Sequence, residues 1–92
     1  MGTTITDRIR IAFNEQVKAY LEKGFLIDPY SLHDRDIPCL HVDLLKNRTT
    51  VRVYIDFDDM RNYCVVVGKY TKGFAIRVWN DQLTEVSRSV IR

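Results

Sequence analysis

The chain has 92 residues, 46% of them hydrophobic and 28% charged, the balance of a single globular domain over residues 1–92 and not of a disordered chain. Its 14 Lys and Arg against 12 Asp and Glu leave a net charge of +2, too little by itself to mark a dedicated binder of nucleic acid or anionic lipid. No apolar stretch approaches the roughly 18–20 residues of a membrane span, and Asp7, Arg8 and Arg10 interrupt any signal-peptide core, so a cytoplasmic location is expected.

Residues 4–23 read as an amphipathic helix. Ile5, Ile9, Ala12, Phe13, Val17, Tyr20 and Leu21 fall on one stripe at spacings of three and four, with Glu15, Lys18, Glu22 and Lys23 on or near the other side. Thr4 or Thr6 is placed to cap its start, and Gly24 to end it in a left-handed conformation. Phe25, just beyond, can fold back on the last turn. Residues 25–36 are the least regular part. Pro29 and the polar run from Ser31 argue for a loop, although 25–28 can pair briefly as a strand.

Strands follow. In 37–45, Leu40, Val42 and Leu44 alternate with Cys39, His41 and Asp43. Lys46, Asn47 and Arg48 form a turn, Asn47 being suited to a left-handed position. In 49–57, Val51, Val53, Ile55 and Phe57 alternate with Arg52, Tyr54 and Asp56. After a turn at 58–61, the strand 62–70 is apolar on both faces, which suits a central position covered on both sides. Another turn at 71–73 leads into an expected strand 74–80, where Phe74, Ile76 and Val78 alternate with Ala75, Arg77 and Trp79. The tail, 81–92, fits either a short helix or an edge strand, and the helix is the favoured reading. The expected architecture is α+β: one N-terminal amphipathic helix packed on an antiparallel four-stranded β-meander, with a short C-terminal helix or edge strand.

Alternation sends His41, Asp43, Arg52, Tyr54, Cys64, Arg77 and Trp79 to the face turned away from the helix. Arginine, tyrosine and tryptophan together anchor protein interfaces. Arg52, Tyr54, Arg77 and Trp79 are therefore the candidate partner-binding residues, the partner being another protein or a second copy of the chain. The alternative is that these aromatics form a second small core under the tail. In a meander, alternate turns share an end. Lys46 and Arg48 then join Lys69 and Lys72, while Asp58, Asp59, Asp34, Asp36 and Asp81 gather at the opposite end. The four basic residues are a weaker candidate for nucleic-acid phosphates, since turns are ordinarily charged and solvated; stacking of bases on the aromatic face is weaker still, since no RNP1 pattern is present and Asp43 and Asp56 share that face.

Catalytic signatures are thin. His33, Asp34, Arg35 and Asp36, with Asp56, Asp58 and Asp59, offer carboxylates for a metal-dependent phosphoester hydrolase, but their spacing matches no metal motif. Cys39 and His41 alternate on one strand face with Cβ atoms about 7 Å apart, long for a nucleophile–base pair. Neither cysteine has CxxC spacing, and both are expected as free thiols. Gly68 and Gly73 open no helix, so no phosphate loop is formed. The expected function is a small non-enzymatic protein-interaction module, an adaptor, inhibitor or oligomerisation domain, with no cofactor, no metal and no membrane. The alternatives are weak nucleic-acid binding and, after it, metal-dependent hydrolysis.

Overall fold

Thr4 starts the only α-helix among the described residues, which in this computed structural model are 4–31, 41–72 and 78–92. Its Oγ1 accepts the Asp7 N–H at 3.1 Å, satisfying one of the unpaired donors of the first turn of α1 (Ile5–Glu22). Gly24, at φ +93°, ends the helix. The Gly24 N–H donates to the Leu21 carbonyl at 3.0 Å and the Phe25 N–H to that of Tyr20 at 3.1 Å, a Schellman closure. Phe25 does fold back: its ring meets Tyr20 edge-on at 5.3 Å. The Lys46 ammonium reaches across from the sheet to the Lys23 carbonyl and lies 5.7 Å from the centre of the Phe25 ring. A cation thus meets the negative end of the helix dipole, although the last turn carries no base of its own.

The sheet is antiparallel and runs in sequence order: β1 (Leu26–Ile27), β2 (His41–Lys46), β3 (Thr49–Phe57), β4 (Tyr63–Tyr70) and β5 (Thr84–Val90). It has five strands where four were expected. Leu26–Ile27 does pair, and the Asp28 N–H extends the ladder to the Asp43 carbonyl at 2.8 Å. Ser31 completes this edge: its Oγ accepts the Asp43 N–H at 2.8 Å and donates to the Asp28 carbonyl at 2.7 Å.

Asn47 and Arg48, both at positive φ, make the two-residue turn whose twist matches a hairpin, so Lys46 faces Thr49. The second hairpin is shaped by Asp58. Its carboxylate accepts the N–H groups of Met60 at 2.9 Å and Asn62 at 2.8 Å, and Arg61 takes the left-handed conformation that closes the loop.

The favoured helical reading of the tail is corrected. Residues 84–90 form β5, an edge strand on β4, entered through a short 3-10 turn at Asn80–Gln82. The register slips between Val67 and Gly68, where Val86 has no facing partner. Such a bulge, together with charged Arg88 and Glu85, is how exposed edges resist pairing with other chains. The expected strand 74–80 is also corrected in part. Residues 73–77 lie outside the described residues, and residues 78–82 are not part of the sheet.

Phe13 of α1 packs on Val42, Leu44, Val51, Val53, Val65 and Val67 to form the main core. Phe57, expected beneath the helix, is 52% exposed. It stands at the hairpin end of β3 beside Tyr63, ring centres 4.7 Å apart. Strand β4 is covered on both sides as expected: Cys64 and Val66 turn from the helix to join Tyr54 in a second core, with Leu83 packed against it. Cys64 is a buried free thiol, while Cys39 lies outside the described residues.

Candidate interaction site

The face turned from the helix is where Asp43 and Arg52 stand directly opposite each other on β2 and β3. Arg52 Nε donates to Asp43 Oδ1 at 2.7 Å and Nη2 to Oδ2 at 3.0 Å, a two-pronged pair. The remaining guanidinium nitrogen, Nη1, donates to the Val78 carbonyl at 2.6 Å and to Asn80 Oδ1 at 2.9 Å. Arg52 is 8% exposed and Asp43 9%. Burial at this level is tolerable for two ions only because, among the described residues, no buried side-chain nitrogen or oxygen is left without a partner.

Arg52 therefore holds down the segment that crosses this face, at the residues on either side of Trp79. Trp79 itself is 63% exposed. Its N–H donates to Gln82 Oε1 at 2.8 Å, and its carbonyl accepts the Gln82 N–H at 2.9 Å. Four residues later Leu83 packs over Gly68, closing the lid on Tyr54, Cys64 and Val66.

Of the four candidate partner-binding residues, the structure places Trp79 at the surface and Arg52 and Tyr54 beneath the crossing segment. Arg77 falls outside the described residues. The second small core weighed as an alternative is present, built on Tyr54, with Trp79 left out of it. Burial pushes the Tyr54 phenol above its ordinary pKa, and the nearby Asp56 and Glu85 carboxylates push the same way. Arg88 bridges those two acids, with Nη2 2.9 Å from Glu85 Oε1 and 3.0 Å from Asp56 Oδ2.

The basic residues are brought to one end as expected. The pairs Lys46–Thr49 and Thr50–Tyr70 put Arg48, Lys69 and Lys72 at the same edge of the molecule, all three exposed. Lys46 is tied to the helix terminus. Asp81 was expected at the acidic end. It lies instead on the basic half, because Thr84, three residues on, pairs with Lys69.

Among the described residues no three acidic, His or Cys side chains gather where they can hold a metal ion. Asp56 is engaged by Arg88, and Asp58 is consumed by its own turn. His33, Asp34, Arg35, Asp36 and Cys39 lie outside the described residues. No helix among the described residues is long and apolar enough to cross a membrane.

Backbone N–H donors, chiefly that of Asn62, hold the exposed Asp58 carboxyl below its ordinary pKa. A depressed carboxyl contributes stability above the unfolded-state pKa and loses it as pH falls through the folded one. Asp58→Ala is therefore expected to lower the melting temperature at neutral pH and to flatten its decline below about pH 4. Melting curves for the two proteins that stay parallel from neutral pH into acid would contradict this.

Comparison of the chain with protein-family models, with curated proteins and with solved structures gave no match in any of the three.

Proposed function

We propose that the chain is a small non-enzymatic protein-interaction module, acting in the cytoplasm as an adaptor, inhibitor or oligomerisation domain, that engages a partner protein through the sheet face turned from the helix. The observation that carries this reading is the exposed indole of Trp79 on that face. Tryptophan is one of the side chains enriched at the energetic centre of protein interfaces. The chain has only one, and it is left outside both hydrophobic cores. In this reading Trp79 is the anchor, while Arg52 and Tyr54 support it from below and Arg77 belongs to the adjoining segment. The nucleic-acid alternative through Lys46, Arg48, Lys69 and Lys72 has less support. Lys46 is committed to the helix end, and Asp81 lies on the basic half.

Trp79→Ala tests the reading. Because the indole leaves no core, stability should change by no more than about 0.5 kcal/mol. Affinity for a partner recovered with the unaltered protein should fall at least about tenfold, as expected for a hot-spot residue. Trp79 fluorescence should shift to the blue on binding, since the indole leaves water. Full retention of partner affinity in the variant, or unfolding of it, would each overturn the proposal.

A further inference from the structure

We infer that Arg52 is a positioning residue for partner recognition: its buried guanidinium clamps the backbone and side chain on either side of Trp79 and so presents the indole as a rigid knob. The inference rests on the reading of Trp79 as the anchor. An exposed tryptophan on a loop of independent mobility must be ordered when it binds, and each immobilised side chain and loop residue subtracts from affinity. Here the loop's share of that ordering is done in advance. Val78 is held through its carbonyl at 2.6 Å and Asn80 through its side-chain oxygen at 2.9 Å, both by the same nitrogen of Arg52. The Gln82 side chain and backbone occupy the N–H and carbonyl of Trp79. The Leu83 N–H donates to the Asn80 carbonyl at 3.2 Å, and the Leu83 side chain is seated on Gly68.

The clamp is itself held on several sides. Asp43 fixes the guanidinium plane through two hydrogen bonds, and the Asp43 backbone is fixed by Asp28 and Ser31 on its other side. A continuous chain of contacts thus runs from Asp28 and Ser31 through Asp43 and Arg52 to Val78 and Asn80, the residues on either side of Trp79. Lysine in place of Arg52 does not reproduce it, because a single ammonium lacks the planar fork that meets Asp43 and Val78 together.

The chain's single tryptophan makes the test direct, since its fluorescence anisotropy decay reports Trp79 alone. In the unaltered protein the anisotropy should decay chiefly with overall tumbling. In the double variant Asp43→Leu/Arg52→Met, which removes both charges together, the sub-nanosecond component should grow at least about twofold, the range of freed side-chain and loop motion. Far-UV circular dichroism should stay unchanged. Asn80→Ala, which removes one arm of the clamp and no buried charge, should move the decay the same way by less, and it serves as the readout if the double variant does not fold. A dominant fast component in the unaltered protein, or a decay that neither variant alters, overturns the inference. Partner affinity measured on the same proteins should fall about tenfold where the fast component grows. Freed motion with undiminished affinity would overturn the role of Arg52 in recognition, whereas Trp79 as the anchor falls only if Trp79→Ala keeps its affinity, so the two claims fail separately.

Discussion

Arg52→Ala should destabilise the domain by about 3–5 kcal/mol, the usual result of removing one partner from a buried ion pair. The Asp43 carboxylate would remain at a position that is 9% exposed, with its two guanidinium donors gone. The Val78 carbonyl and Asn80 Oδ1 would lose their donor in the same step. Set against a total stability of about 5–15 kcal/mol for domains of this kind, the loss is large enough to bring the midpoint of urea unfolding down sharply. Asp43→Leu/Arg52→Met should recover most of it, because replacing both ions by apolar groups avoids the stranded charge. Urea titration of the three proteins checks both statements. A loss of under about 1 kcal/mol for Arg52→Ala would place the pair among surface salt bridges and contradict its burial.

The pairing of Asp43 with Arg52 was within reach of the sequence and depended on one turn. Alternation put both residues on the face away from the helix. A two-residue turn at Asn47 and Arg48 sets Lys46 against Thr49, and counting back along both strands then brings 43 opposite 52. A turn spread over Lys46, Asn47 and Arg48 leaves that register open. The positive φ of Arg48 settles it, and nothing in an arginine announces a left-handed backbone, whereas an Asn-Gly turn would have done so. Burial of Arg52 and Tyr54 was hidden for another reason. Period-two alternation says which face a side chain takes, but not whether a later segment crosses that face. The crossing segment, 78–83, has no period at all. The helix, its Thr4 and Gly24 ends and the central placement of β4 were legible because their signals are local. Strand β5 was not, since the bulge at Val86 breaks the alternation and leaves Val86, Val90 and Ile91 at spacings that also suit a helix.

Gly68→Val should cost about 1–3 kcal/mol, the range for forcing atoms into a filled core. A Cβ at position 68 would stand 2.8 Å from Leu83 Cβ and 2.9 Å from Leu83 Cδ1. The Cδ1 contact can be relieved by a rotamer change. The Cβ contact cannot, because Leu83 Cβ is fixed to the backbone, so β4 and the crossing segment must separate. The glycine is thus required by a close approach between two segments of the chain, and not by its own backbone angles. Leu83→Gly removes the obstructing atoms and uncovers Tyr54, Cys64 and Val66, so it is destabilising alone. In the double variant the two losses should fall short of their sum, the coupling that residues in contact show. Additive losses would mean that residues 68 and 83 do not touch. Leu83 on Gly68, and Val78 with Asn80 on Arg52, pin the segment bearing Trp79 to the sheet. Lifting the first pin should therefore loosen the indole from the far side, and Gly68→Val should weaken partner binding although it alters no atom of the exposed face.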